Sequence, residues 1–564
     1  MRRYIRPIVL TAALLLPAVG NAQGIAGSYL AGRHAQFNGD YAAVGQYYSQ
    51  AQRSDATNPA LLEAALAGRA NAGDVAGAVA LLRGSDLDMN QSQIAGLIAV
   101  AGLAKGEQFT EIVEGFGAGR RISPLVDGLV LAWATLGLGD VSAATDYFED
   151  MASMNGMSGF ANLHHALAKG TFGDFEGALG LLTDDKVGAL GYTRRSIMVR
   201  AEFLSQLGRN IDAAALIDDN FQGALDPELQ ELRIGLEGRK AVPLTTVLTA
   251  QQGLAEVFWT VASVLRDEAG PDFALLYARA AAYVRADFDE ANLLIAGLLD
   301  ELGNHVLAAD AYGQITPDST SFHAAEIGRA EALFESDRKD EAVEALTALQ
   351  DSHADLQVVH STLGDMLRRL ERFEEATAAY STAIKLLEQG DPNAWFLYYA
   401  RGITFERRDL WPQAEADFRK SLALNPDQPN VLNYLGYSLV EKKIKLDEAL
   451  EMIEKAAAAR PDSGFILDSL GWVLYRLGRY DEAVAPMEVA ASLAATDPVV
   501  NDHLGDVLWA VGRRTEARFQ WSRALSFDPA EDDLPRIRRK LEVGLDVVLE
   551  EEGAPPLPQV QSGG

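Results

Sequence analysis

Cysteine is absent from all 564 residues. That excludes disulfides, thiolate nucleophiles and Cys-ligated zinc, and with them a lipidated cysteine as a membrane anchor. A basic surplus is missing too: 49 Lys and Arg face 80 Asp and Glu, for a formal net charge of −31. Residues 1–350 carry 25 basic and 44 acidic groups, and residues 351–564 carry 24 and 36, so no basic domain hides in the average. Nucleic acid is excluded as a partner, because phosphate binding needs a basic surface. Long apolar runs are lacking as well. Ile8–Val19, broken by Pro17, falls short of the ~20 residues that span a bilayer, so no transmembrane segment is expected.

Signatures of chemistry are equally scarce. The chain has no Gly-rich phosphate loop ending in Lys-Ser/Thr, no His-Glu-x-x-His and no Gly-x-Ser-x-Gly elbow. His164 and His165 are adjacent, so on a helix they diverge by ~100° and cannot share a metal. Ser336-Asp337-Arg338-Lys339 has the spacing of a Ser/Lys nucleophile pair but reads as a solvated turn between helices. No catalytic residue, metal ligand or cofactor site is expected.

The N-terminus carries an address. Arg2, Arg3 and Arg6 precede the apolar Ile8–Val19, and Gly20-Asn21-Ala22 supplies the small residues that a signal peptidase reads. Residues 1–22 are expected to be a cleaved signal peptide, and the mature protein to be soluble in a periplasm, without a lipid anchor. The disulfide-free composition fits a large exported protein that is stable through packing alone.

The body of the chain is periodic. Gly402, Gly436, Gly471 and Gly505 lie 34, 35 and 34 residues apart. Ala414, Ala449, Ala483 and Ala517 follow them, and each alanine is followed four residues later by Phe418, Ile453, Met487 or Trp521. Small residues at two fixed points of such a period describe stacked helical hairpins, in which glycine admits a neighbouring helix and the large side chain fills the space. Leu467, Leu470, Gly471 and Leu474 form the buried stripe of one first helix. Asp447, Asp481 and Arg513-Arg514-Thr515 are placed as helix N-caps, and Pro426, Pro461, Pro498 and Pro529 as helix stops. Upstream, Gly39-Asp40-Tyr41, Gly73-Asp74-Val75, Gly139-Asp140-Val141 and Gly173-Asp174-Phe175 repeat one turn at corresponding positions.

Asn433-Tyr434-Leu435-Gly436-Tyr437 and Asp468-Ser469-Leu470-Gly471-Trp472 show most plainly that the pattern resembles the tetratricopeptide repeat. The resemblance implies an all-α, right-handed superhelical solenoid of antiparallel helix pairs, with about a dozen repeats at this period. Residues 24–240 read as degenerate repeats and 241–357 as irregular middle repeats, with the Pro243–Gly270 stretch marking a bend. Residues 358–530 read as well-formed repeats and 531–550 as a capping helix. In that helix Leu534, Ile537, Leu541, Leu545 and Val548 oppose Arg536, Arg538, Arg539 and Lys540. Residues 551–564, rich in Pro and Gly, read as a disordered tail.

In this repeat family the concave groove is lined from first-helix positions that alternate with the buried stripe. The matching positions hold Phe396, Tyr399 and Ile403, then Asn430, Asn433 and Tyr437. Phe465, Asp468, Trp472 and Tyr475 follow, then Asp502, Asp506 and Trp509. Rings interleaved with Asn and Asp suit an extended peptide, since rings give rigid contact area and amides pair with a peptide backbone. Tyr399 and Ile403 stand where a Lys and an Asn would clamp a C-terminal carboxylate, so that mode is not expected.

The chain looks like the envelope tetratricopeptide proteins of Gram-negative bacteria. The resemblance implies a non-enzymatic scaffold or adaptor with a protein or peptide partner, among them periplasmic proteases and cell-wall enzymes. Two alternatives stay open: a polysaccharide- or polymer-export scaffold with glycan in the groove, and an enzyme with its site in Pro243–Gly270. The sequence leaves the oligomeric state open. N-terminal sequencing of protein recovered from cells should return Gln23 or a close neighbour; a start at Met1 or Arg2 would refute the export reading.

Overall fold

A computed structural model describes residues 25–221, 225–238, 240–268, 270–387, 391–555 and 557. The expected signal peptide, 1–22, and most of the expected tail (556 and 558–564) lie outside the described residues. Among the described residues all regular structure is helical and no strand forms. Most helices run 9–14 residues and pack pairwise with their chain neighbours.

The turns between paired helices follow from local chemistry. Gly39, Gly73, Gly139 and Gly173 adopt φ of 68°, 94°, 85° and 84°, a region that L side chains rarely enter. Each is followed by an N-cap aspartate. The carboxylates of Asp40, Asp74, Asp140 and Asp174 accept from the backbone N–H of Ala43, Gly77, Ala143 and Gly177. The caps expected farther along are displaced. Lys445, Arg479 and Arg513 occupy the cap positions without a side-chain cap bond, and Asp447 and Asp481 lie in the first turn. There they oppose the helix dipole instead of bonding the free N–H groups.

The packing falls into two compact units, Met1–Ala345 and Leu346–Gly564. In the second, every glycine of the ladder meets the large side chain that the spacing assigns to it. A Cβ on Gly402 or Gly436 would lie 2.7 Å from Phe418 Cε1 or Ile453 Cγ1. On Gly471 or Gly505 it would lie 2.3 Å from Met487 Cγ or Trp521 Nε1. These distances are far inside van der Waals contact, so only glycine fits.

In the first unit the Pro243–Gly270 stretch makes no simple bend. Its helix Ala250–Glu268 pairs with Pro271–Val284, and this hairpin packs back across the earlier first helices Pro59–Asn71, Gln93–Lys105, Pro124–Gly137 and Ser158–Thr171. Gly253 sits against the fully buried Trp133, where a Cβ would approach ring carbons to 2.2 Å. Polar contacts fix the register: Gln251 Nε2 donates to Ala104 O and Lys105 O, and Gln93 Nε2 donates to Tyr277 Oη. Asp272 accepts from Tyr41 Oη through its carboxylate and from Asn71 Nδ2 through its carbonyl.

The second unit ends in the helices Leu534–Val543 and Leu545–Glu551. Ile537, Leu545 and Val548 are buried, as a cap requires. The basic side differs from expectation: Lys540 is 0% exposed, with Nζ 2.6 Å from Asp502 Oδ2 and 2.6 Å from Asp506 Oδ1. Asp506 also accepts from Trp521 Nε1 at 2.9 Å and Arg536 Nη1 at 3.3 Å. Burial and the neighbouring Asp506 charge push the Asp502 carboxyl up, against the pull of Lys540. The cap is thus held by apolar contact and by a desolvated ion cluster together.

Two stability outcomes follow. Gly471→Leu should cost ~1–3 kcal/mol or more through overpacking. Glu488→Ala, which removes only an exposed pair with Arg513, should cost ~0.5 kcal/mol. Denaturant melts giving equal small losses would refute the packing at Gly471. Lys540→Met should cost ~3–5 kcal/mol, because it strands buried carboxylates. Adding Asp506→Asn should recover part of that loss; no recovery would place the cost elsewhere.

Candidate functional site

The first helices of the second unit stack in register. Trp395–Arg407, Pro429–Glu441, Gly464–Arg476 and Pro498–Ala510 each lean on the second helix of their own pair through the glycine contact. The same register position therefore recurs along one surface. The second residue of each helix is Phe396, Asn430, Phe465 and Val499, and all four are exposed. Phe465 is the most open of the three apolar ones, at 62%. Val499 was not singled out from the sequence, although it lies 34 residues after Phe465 and counting one repeat finds it. Val358, second in the helix Gln357–Arg369, extends the exposed apolar series.

A groove of about 440 Å³ opens between these helices. Four residues expected from the sequence line it: Asn433, Tyr437, Phe465 and Asp468. Glu406, Arg407, Glu441 and Asp497 add charged groups to its wall, and none of the four was anticipated. Asn433 Oδ1, beside the groove, is buried without a hydrogen-bond partner. Burial, together with the Glu441 and Asp468 charges, pushes the Tyr437 phenol up, so its hydroxyl stays neutral.

Other expected groove residues are used by the fold itself. Trp472, at 7% exposure, stacks on Tyr475 at 4.9 Å and on His503 at 3.9 Å, and its Nε1 donates to Glu441 Oε1 at 2.7 Å. Tyr475 is buried with it. The reason is that a first helix has neighbours on two sides, and the helix Pro498–Ala510 covers the face that these rings were expected to open. Asp468 is largely buried, with both carboxylate oxygens 3.1 Å from His503 Nδ1. Burial alone would lower the His503 pKa; the charge and hydrogen bond of Asp468 outweigh it and raise it. Trp509 packs on Trp521 at 5.3 Å and donates to Asp546. Asp502 and Asp506 belong to the Lys540 cluster, so the open surface stops short of the cap. Tyr399 is half-buried against Tyr434 and Phe418, and Ile403 is half-buried in the same core.

Several buried ionisable groups that pack on or near the middle segment have structural partners. Glu202 accepts from Thr245 N, Thr245 Oγ1 and Thr246 Oγ1, tying down the chain before Ala250–Glu268. Burial pushes its carboxyl up to about 7 despite those bonds. Arg195 is clamped between Glu256 and Glu290. His164 and His165 are buried, with pKa values lowered by desolvation to about 3 and about 4. His164 accepts from Trp133 Nε1, and His165 stacks on Phe148. Among the described residues no group of three His, Cys, Asp or Glu is arranged to hold a metal, and no helix is long and apolar enough to cross a membrane.

Comparison with known proteins adds a matching family model and several similar proteins. A model described as tetratricopeptide repeat matches residues 466–495, which fall in the pair Gly464–Arg476 and Tyr480–Leu493. A TPR repeat-containing protein of Pseudomonas aeruginosa is 31% identical over 192 residues, covering 34% of this chain and 32% of that protein. The chain thus spans about a third of the length of that curated relative. Among solved structures, the APC/C hetero-tetramer Cut9–Hcn1 is 15% identical over 92% of this chain and 96% of that one, with a TM-score of 0.39. Yeast Tom70 is 15% identical over 82% of this chain and 99% of its own, with a TM-score of 0.35. The matched segment is thus one tetratricopeptide repeat, residues 466–495, set in a chain of paired helices whose ladder glycines each meet a large side chain.

Proposed function

We propose that the chain is a non-enzymatic scaffold or adaptor of the Gram-negative cell envelope. It acts in the periplasm after loss of residues 1–22 and holds an extended segment of a protein partner in the groove of its second unit. The observation that carries this reading is the combination at that groove: exposed Phe465, the neutral Tyr437 hydroxyl and the unpaired Asn433 Oδ1. Rigid rings beside amide groups are what an extended peptide needs for contact area and backbone pairing. Export rests on the Arg2/Arg3/Arg6 region, the short apolar run and Gly20-Asn21-Ala22.

Affinity purification of the mature chain from periplasm, followed by mass spectrometry, tests the proposal when run on paired variants. Phe465→Ala should deplete the captured partner about thirtyfold, the loss of a ~2 kcal/mol anchor, without lowering the melting temperature. Phe519→Ala, equally exposed at 62% but on the second helix Arg514–Ser526, should leave capture unchanged. Trp472→Ala should act through stability, since its ring is buried. Capture that survives Phe465→Ala, Tyr437→Ala and Asn433→Ala would remove the binding site from this groove.

A further inference from the structure

The groove is polarised across its width. Phe465 and Val499 stand at the second residue of their helices, on the N-terminal side. Glu406 and Glu441 stand at the last turn of Trp395–Arg407 and Pro429–Glu441, on the C-terminal side. The N-terminal rim thus carries the apolar side chains together with Asp497, whose Oδ1 accepts from Val500 N, while the C-terminal rim is anionic and also receives the negative ends of two helix dipoles.

The anionic rim is only partly neutralised. Glu441 Oε1 accepts from Trp472 Nε1, with Arg476 Nη1 a distant 3.9 Å away. Glu406 Oε2 meets the Tyr434 hydroxyl only at 3.5 Å. Arg407, the one cation that lines the groove among the described residues, is drawn aside: it lies 3.8 Å from Glu371 and over the Phe373 ring. The groove carboxylates are acceptors, and the buried Asn433 Oδ1 is a further acceptor without a partner. Such a surface calls for hydrogen-bond donors and positive charge, and disfavours carboxylates or phosphates.

We propose that the groove selects an extended polypeptide segment whose side chains alternate between apolar and basic. The proposal rests on the reading of this groove as a peptide site and adds its specificity. An extended chain sends successive side chains to opposite sides. A strand laid along the groove, across the first helices, thus turns one set of side chains to Phe465 and Val499 and the other to Glu406 and Glu441. Neighbouring first helices lie ~8–10 Å apart and an extended chain advances ~3.3 Å per residue, so adjacent repeats are met about every third residue. Lys or Arg on the anionic side ion-pairs there, and the strand's N–H groups supply donors to Asn433.

The test is fluorescence anisotropy of labelled eleven-residue peptides with the mature full-length chain. One peptide alternates Leu with Lys, one Leu with Glu and one Leu with Gln. The Lys peptide should bind at least tenfold more tightly than the Glu peptide. The double variant Glu406→Gln/Glu441→Gln should erase most of that preference, by weakening the Lys peptide and strengthening the Glu peptide. Non-specific attraction to an acidic protein would barely respond, since the variant changes by only two a formal charge of −31, which becomes −34 once Arg2, Arg3 and Arg6 are removed. Equal binding of Lys and Glu peptides, or a preference untouched by the double variant, overturns the specificity. If the Gln peptide still binds and is lost with Phe465→Ala, the peptide groove stands without its charge selection. If no peptide binds, or none responds to Phe465→Ala, the groove reading fails with it.

Discussion

The approach of paired helices at a glycine is the constraint on which the second unit depends. Gly402, Gly436, Gly471 and Gly505 each leave room for one large side chain from the partner helix, and no β-carbon fits in any of them. The contact fixes how deep each second helix sits against its first helix. Repeated every 34 or 35 residues, it makes successive first helices present equivalent positions to the same side. The groove is thus a by-product of packing, and its lining is whatever the sequence places at positions the packing does not consume.

Consumption is larger than a one-faced helix would suggest. Each first helix touches its own second helix and the first helix of the next repeat, so much of its circumference is buried. Trp472 and Tyr475 are spent on that second contact, with Trp472 stacked on His503, while Phe465, about two turns before Trp472 on the same helix, stays open. In the first unit the surface is used differently again. The hairpin Ala250–Glu268 and Pro271–Val284 lies on four first helices, with Trp133 closed over Gly253. A surface covered by the chain's own helices is stabilised intramolecularly, and an incoming peptide would have to displace it.

Features governed by near neighbours in sequence were legible, and features governed by distant ones were not. The recurrence of the Gly-Asp turns was readable, and the left-handed glycine and capping carboxylate found there both act within four residues. The partners of the glycine ladder were also readable, since Gly471 and Met487 belong to one hairpin. Asp447 and Asp481 misled because an acidic residue near a helix start serves as a cap or as a dipole partner, and a shift of two residues separates the roles. The pairing of Lys540 with Asp502 and Asp506 spans 38 and 34 residues, and the docking of Gly253 on Trp133 spans 120. No local pattern encodes such contacts, although loss of the repeat signature around Pro243–Gly270 marked where the chain does something else.

The direction of the helices carries a consequence for recognition. Because the four first helices are equivalent members of successive repeats, their N-termini gather on one side of the groove and their C-termini on the other. Backbone dipoles then favour anions along the first rim and cations along the second, whatever the side chains are. Here the side chains reinforce that division: Glu406 and Glu441 add charge where the dipoles are already negative, while on the other rim Phe465 and Val499 add none and the Asp497 carboxylate is engaged in capping its own helix. A lysine or arginine clamp at the C-terminal rim would have cancelled the dipoles and suited an acidic ligand. With carboxylates there instead, the field of the backbone and the charge of the side chains attract the same kind of partner.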